Sequence, residues 1–230
     1  METSGNSVTP DPLNKDFRLV ALVGNSRAYT LMVALVGQIL LSSLSTDESF
    51  LIDVYQAFVI LAVILVAADN RRHLMVGLAL GIPSLVLTIT DLTISDKVSG
   101  WITYIFVVAL YLFVIRMMLI KIFKTKKVTF ETIGFAICTY LLLGSVFTIL
   151  YAGVVILNPD AFSQSITQAG SSPGSILTYF SFVTLTTLGY GDISPVSPIA
   201  RSLAILEALT GTLFLAVLIS RLVGAAAREK

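Results

Sequence analysis

Charged residues are scarce in this sequence, and cysteine and histidine occur once each. Asp, Glu, Lys and Arg make up 13% of the 230 residues, whereas apolar residues make up 56% and the mean hydropathy is +0.90. Soluble proteins carry about 25% charged residues, so a chain this poor in charge must have lipid as its main solvent. Because Cys138 is the single cysteine, the sequence excludes an intrachain disulfide framework and a cysteine-rich metal site. Because His73 is the single histidine, it also excludes a histidine-rich metal site. The net charge of +1 excludes a protein that binds nucleic acid through bulk charge.

Long hydrophobic runs are what the sequence has in abundance. A helix needs roughly 20 mostly apolar residues to cross the hydrocarbon of a bilayer. Six runs approach or exceed that length, at residues 28–44, 50–68, 74–90, 101–123, 132–157 and 199–224. Short polar breaks separate the first five runs, and a longer stretch separates the last two. The sequence therefore predicts an all-α membrane protein with six transmembrane helices.

Lysine and arginine indicate how these spans are oriented. With the amino end in the cytoplasm, Arg116 lies within a span, Lys97 and Arg201 lie outside, and the remaining 12 of the 15 basic residues lie inside. The positive-inside rule then predicts a multi-pass protein of the plasma or bacterial inner membrane, with both termini cytoplasmic. The tails at 1–27 and 225–230 and the linker at 124–131 face the cytoplasm. A basic cluster at this linker is a candidate site for anionic lipid headgroups; it consists of Lys121, Lys124, Lys126 and Lys127.

The gap between the fifth and sixth runs contains a short apolar segment and a glycine motif. Ser172 followed by Pro173 is a typical helix start, and the apolar run after them is too short to span a bilayer. We therefore predict a re-entrant helix, which membranes tolerate only where protein or a water-filled cavity shields the backbone. The motif after this helix reads Thr187-Leu188-Gly189-Tyr190-Gly191-Asp192.

Glycine alternates with other residues in this motif. Gly189 and Gly191 can adopt positive φ without steric cost, and the alternation lets successive carbonyl groups point to one side. A row of carbonyl oxygens around an axis can replace the water shell of a cation. The pattern T-x-G-Y-G would occur by chance about 0.003 times in a chain of this composition. The motif therefore predicts a cation-binding loop, with the Thr187 hydroxyl adding an oxygen at its inner end.

Residues 132–224 resemble the pore module of the tetrameric potassium channels. The matching features are an aromatic pore helix with Tyr179 and Phe180, the filter from Thr186 to Asp192, and a last helix with Gly211 midway. The resemblance implies a homotetrameric, potassium-selective channel with a pore domain at 132–224 after a four-helix domain at 28–123. It implies no cofactor other than K⁺ ions, bound by a selectivity filter whose ion-binding residues are Thr187, Leu188, Gly189 and Tyr190, followed by Gly191.

The resemblance also implies residues that support the filter. Thr184 would bond the Tyr190 hydroxyl, and Asp192 would lie behind the filter and face Tyr179. Thr186, at the start of the matching motif, belongs to the same supporting group.

Glu207 is a carboxyl group inside the sixth span, at about the depth of the filter base. Carboxyl groups within membrane spans are usually functional. We expect Glu207 either to act in the pore or to brace the filter, protonated or bonded to the pore helix.

One stripe of the sixth span is a candidate wall for the ion path. Gly211 marks the position at which resembling channels bend, and a stripe at steps of three and four follows it on one helical face. The stripe consists of Thr212, Leu215, Ile219 and Val223. We expect it to line the central cavity, with Ile219 and Val223 as a constriction that closes by dewetting. The alternative is that the stripe packs on the fifth span and lipid.

The fourth span lacks the charges of a voltage sensor. A sensing helix needs a cation at every third residue, and no such series in 101–123 holds more than one. Steep voltage gating uses about three to four charges per subunit, so we expect passive conduction without strong voltage dependence. The alternatives are a weakly voltage-dependent or less selective cation channel. An enzyme or transporter is disfavoured because the sequence lacks clustered histidines, cysteines or paired carboxylates and shows no internal repeat.

Overall fold

The computed structural model describes residues 28–42, 50–68, 70–91, 97–125, 129–163 and 172–226. These residues form helices joined by short connections, and their β pairing is one isolated bridge between Phe162 and Pro195. The helices, in chain order, are α1 Ala28–Ser42, α2 Phe50–Ala67, α3 Arg71–Asp91, α4 Lys97–Lys124, α5 Phe130–Leu157, α6 Pro173–Leu185 and α7 Pro198–Ala226. The predicted all-α class is confirmed for this part of the chain.

Four helical segments are long and apolar enough to cross a membrane. They are Arg71–Thr90, Trp101–Lys124, Phe130–Leu157 and Pro198–Ala225. The described apolar stretches in α1 and α2 are shorter, at Ala28–Ser42 and Tyr55–Ala67. The structure therefore supports a membrane protein, and the count of six spans stays a prediction. The cytoplasmic placement of 1–27 and 227–230 falls outside the described residues.

Helix ends follow local capping chemistry. Thr129 caps α5, because its Oγ1 accepts a hydrogen bond from the Thr132 N–H at 3.2 Å. α5 therefore begins two residues before the predicted start of the span at residue 132. α6 begins as predicted, with Ser172 Oγ accepting from the Ser175 N–H at 3.3 Å and Pro173 as the first helical residue. α4 extends to Lys124 and α5 begins at Phe130, so both helices reach into the predicted linker at 124–131.

The amino-terminal helices pack directly against α5 of the same chain. α4 lies between α3 and α5, and α2 packs on α3 and α4. The shared core contains fully buried side chains from four helices; they include Leu31, Leu35, Val63, Leu110, Met118 and Leu142. Cys138 lies in this core as a free thiol and donates a hydrogen bond to the Ala28 carbonyl at 3.3 Å.

A second core lies between α5, α6 and α7. The rings of Tyr151, Phe162 and Phe180 meet edge to face, with centroids 5.0 to 5.8 Å apart. The segment after α5 is tied to the segment before α7, since the Ser163 N–H donates to the Ser194 carbonyl at 2.8 Å. These contacts fix both ends of the loop that follows α6.

Candidate functional site

The loop after α6 has a backbone of alternating handedness. Thr187, Gly189 and Gly191 have φ of +59°, +57° and +79°, and the residues between them have negative φ. Positive φ was expected of the two glycines, whereas Thr187 was not foreseen. A left-handed non-glycine residue costs about 1–2 kcal/mol, and such strain persists where the surrounding structure holds it. The alternation is the pattern that turns successive carbonyl groups towards one side.

The end of α6 holds the first half of this loop. The Thr187 N–H donates to the Thr184 carbonyl at 2.9 Å. The Val183 carbonyl accepts from two loop residues, the Leu188 N–H at 3.0 Å and the Gly189 N–H at 3.3 Å. Loop amides thus satisfy carbonyl groups that the end of a helix otherwise leaves without partners. The position of α6 therefore sets the position of the loop.

The outer half of the loop is held by Tyr179. Its hydroxyl donates to Asp192 Oδ2 at 2.7 Å, which is the contact that the resemblance implied. This hydrogen bond lowers the pKa of Asp192 and so favours a charged carboxylate. The Tyr179 ring also stacks on Tyr190, with centroids 6.5 Å apart and planes 7° apart. The implied bond between Thr184 and the Tyr190 hydroxyl is absent from the described part of a single chain, in which the Tyr190 side chain is 66% exposed.

Glu207 lies against the pore helix α6 and is fully buried. The Tyr151 hydroxyl donates to Glu207 Oε2 at 2.6 Å, and Ser181 Oγ lies 2.6 Å from Oε1. The carboxyl group therefore joins α5, α6 and α7. The structure places Glu207 in contact with Ser181 of α6, and the choice between a role in the pore and bracing of the filter stays a prediction.

The sequence analysis did not identify Tyr151 and Ser181. The available signal was Glu207 itself, since a carboxyl group buried in apolar surroundings requires hydrogen-bonding partners. Hydroxyl groups in neighbouring apolar helices at a similar depth were the candidates for those partners.

Gly211 lies where α7 crosses the end of α6. A Cβ atom at this position would collide with the backbone carbonyl oxygen of Leu185. The same oxygen accepts a hydrogen bond from the Tyr140 hydroxyl at 3.1 Å. α7 is one continuous helix through Gly211, so the glycine serves a close approach between helices in this structure.

The side chains of the stripe predicted to line the cavity are exposed in a single chain. The Thr212 side chain is exposed, and those of Leu215, Ile219 and Val223 are 42%, 59% and 63% exposed. Phe214 instead contacts Tyr140 of α5, with ring centroids 5.8 Å apart. Exposure in a single chain suits either the ion path or lipid, so the cavity lining and its alternative both stay predictions.

The carboxyl-terminal part of α7 is bonded to the end of α4. Arg221 Nη2 donates to the carbonyl oxygens of Phe123 at 3.1 Å and Thr125 at 2.6 Å. A cation at the carboxyl end of a helix satisfies free carbonyls and complements the helix dipole. The sequence marked Arg221 only as a basic residue on the inner side, because its partners lie almost a hundred residues away.

The basic cluster is described only in part. Lys121 Nζ lies 5.1 Å from the centroid of the Phe135 ring, and Lys124 ends α4. Lys126 and Lys127 fall outside the described residues, so the lipid site stays a prediction.

The polar side chains that bond to one another between α1, α2 and α4 are two amides and a phenol, without a charge. Gln38 Nε2 donates to Gln56 Oε1, and Gln56 Nε2 donates to the Tyr111 hydroxyl at 3.0 Å. Arg116 is exposed on the surface of α4. The described side chains form no group of three or more His, Cys, Asp or Glu residues that could hold a metal ion.

Known proteins resemble the carboxyl-terminal part of the chain. Residues 135–228 match a family model described as "Ion channel". The chain is 37% identical over 79 residues to the inward rectifier potassium channel Kirbac3.1 of Paramagnetospirillum magnetotacticum, covering 31% of this chain and 27% of that protein. It is 28% identical over 107 residues to Protein LctB of Bacillus caldotenax, covering 45% of this chain and 79% of that protein. No solved structure matches the chain.

These matches cover only part of this chain and part of the first relative. The matched region spans only 27% of the length of the first relative, and the family model covers the pore helices and the loop between them. The four apolar helices indicate a membrane protein, and the family model and the potassium-channel relative show that part of the chain is similar to ion channels. The activity of the whole chain is therefore a proposal.

Proposed function

We propose that the protein is a potassium-selective channel in which four copies surround one ion path. The observation that carries the proposal is the backbone of residues 187–191, where φ alternates in sign and amides bond to the end of α6. The carbonyl oxygens of these residues replace the hydration shell of K⁺. The ion-binding residues are Thr187, Leu188, Gly189 and Tyr190, with Gly191 completing the filter.

The requirement for several copies follows from the exposure of the loop. Leu188 and Tyr190 are 56% and 66% exposed in a single chain. One loop offers oxygens to one side of an ion, so a dehydrated cation needs further copies around the same axis. The exposed apolar faces of the pore helices supply the surface for this assembly, and four copies match the implied homotetramer.

Gating in this proposal does not depend strongly on voltage. Arg116 is exposed, and the described interior between α1, α2 and α4 holds amides and a phenol in place of charges. Moving one charge across the membrane is worth about 2.3 kcal/mol per 100 mV, too little for steep gating. The proposal includes six spans in the cell membrane, cytoplasmic termini, and anionic lipid at the basic cluster Lys121, Lys124, Lys126 and Lys127.

Reconstitution of the purified chain in liposomes and planar bilayers tests this function. In a potassium–sodium gradient, the current should reverse near the potassium potential, and open probability should change little with voltage. Arg116→Gln should leave the conductance–voltage relation nearly unchanged. Reversal near zero would replace the proposal with a less selective cation channel. A gating charge of several elementary charges would replace it with a voltage-dependent one.

Cysteine scanning tests the wall of the ion path below the filter. In a Cys138→Ser background, thiol reagents applied from the inner side should block current through Ile219→Cys, since the Ile219 side chain is 59% exposed in a single chain. Phe214→Cys is the matched control, because Phe214 packs against Tyr140 on the opposite side of the helix. Equal block at both positions, or block at Phe214→Cys alone, would show that another face of α7 lines the path.

A further inference from the structure

We infer that Glu207 is a neutral carboxylic acid that donates its proton to Ser181 and thereby acts as a positioning residue for the filter. The protonation state rests only on the contacts around the carboxyl group. The positioning role rests on the proposed function, so the two parts are tested separately.

Ser181 has two short oxygen contacts but only one hydrogen, so the second hydrogen must be the proton of the Glu207 carboxyl group. Ser181 Oγ lies 2.6 Å from Glu207 Oε1 and 2.8 Å from the Gly144 carbonyl oxygen. A serine hydroxyl has one hydrogen, and a backbone carbonyl can only accept. If Ser181 donates to Gly144, the hydrogen between Ser181 and Glu207 must come from Glu207. With an ionised Glu207, one of these two short contacts would join two oxygens without a hydrogen.

Tyr151 cannot supply the missing hydrogen between Ser181 and Glu207. Its hydroxyl has one hydrogen, which it donates to the other carboxyl oxygen, Oε2, at 2.6 Å. A protonated Glu207 gives a complete chain in which Tyr151 donates to Glu207, Glu207 donates to Ser181, and Ser181 donates to Gly144. Each of the three oxygen–oxygen contacts then contains one hydrogen.

The surroundings of Glu207 also favour the neutral form. Its side chain has no exposed surface, and burial of an unpaired carboxylate is costly. The groups that face it are the hydroxyls of Tyr140 and Tyr151 on α5 and of Ser181 on α6. None of these groups carries a positive charge, and no cation of the described residues pairs with Glu207.

The chain of hydrogen bonds connects Glu207 to the filter through α6. Ser181 lies two residues before Val183, whose carbonyl accepts from the amides of Leu188 and Gly189. Glu207 and Gly144 hold Ser181 from α7 and α5, so they restrict movement of α6. A displacement of α6 at this point moves the Val183 carbonyl and, with it, the ion-binding loop.

Infrared spectroscopy of the reconstituted full chain tests the protonation state without ion conduction. The wild-type protein at neutral pH should show the C=O stretching band of a buried carboxylic acid, and Glu207→Gln should lack that band. Absence of a difference between the two proteins in this region would overturn the protonated state. This result does not depend on whether the protein conducts potassium.

Two substitutions at Glu207 test the positioning role in potassium–sodium recordings. Glu207→Gln keeps a donor for Ser181 and an acceptor for Tyr151, so it should retain the wild-type preference for potassium. Glu207→Ala removes both bonds and leaves the buried Tyr151 hydroxyl without its acceptor. Since α6 then loses its link to α7, the preference for potassium should fall by about tenfold or more. Equal selectivity in both variants would overturn the positioning role. Should Glu207→Ala fail to assemble, Ser181→Ala removes the same link to α6 with a smaller change, and unchanged selectivity there would also overturn it.

A pH series separates positioning from a purely structural role. Ionisation removes the proton that Glu207 donates, so the potassium preference of the wild type should fall as pH rises through the titration of Glu207. Glu207→Gln cannot ionise and should show no such fall. An identical pH profile in the two proteins would contradict the inference.

Discussion

Replacing Gly189 by alanine should abolish the potassium current. Gly189 has φ of +57°, a conformation that costs an L-amino acid about 1–2 kcal/mol. In the proposed tetramer four copies repeat this cost, and Thr187 already carries the same strain. We therefore expect the alanine variant to leave the alternating conformation and lose the aligned carbonyls. Potassium flux into liposomes measures the loss.

Gly174→Ala is the matched control for this experiment. An added Cβ meets nothing within 4 Å at either glycine, so crowding within the chain is the same in both variants. Gly174 lies in the first turn of α6 without positive φ, so alanine fits there without backbone strain. The control should conduct like the wild type. Full conduction by Gly189→Ala would contradict the assignment of the filter.

Replacing Gly211 by alanine should destabilise the assembled channel and disturb its selectivity. The new Cβ would collide with the Leu185 carbonyl oxygen and come within 3.1 Å of the Leu185 carbonyl carbon. A backbone atom cannot rotate away as a flexible side chain can, so α6 or α7 must move. Such overpacking typically costs about 1–3 kcal/mol. The carbonyls of Val183 and Thr184, which hold the filter loop, lie immediately before the displaced residue.

Gly224→Ala provides the control on the same helix, because an added Cβ at Gly224 meets nothing within 4 Å. Thermal unfolding of the purified tetramer and the reversal potential are the two measurements. Gly211→Ala should have a lower melting temperature and a reversal potential shifted towards zero, whereas Gly224→Ala should match the wild type. If both variants behave alike, the close approach at Gly211 has no role in holding the filter.

The sequence alone determined the features that depend on near neighbours. Apolar runs located the long helices, because burial of a span in lipid requires a continuous stretch of apolar residues. The cap at Ser172 and Pro173 located the start of α6, because its hydrogen bond joins residues three positions apart. Positive φ at Gly189 and Gly191 followed from the absence of a Cβ atom. Each feature is decided within a few residues of the chain.

The tertiary structure decided which helix faces meet. Glu207 bonds to residues 26 and 56 positions away, and Arg221 bonds to a carbonyl 96 positions away. α5 and α7 are apolar on nearly every side, so periodicity does not specify which face contacts a neighbour. Only packing placed Gly211 against Leu185 and turned Phe214 towards Tyr140. In an apolar helix, rotation about the axis is set by close contacts and buried polar partners, which a hydrophobic pattern does not record.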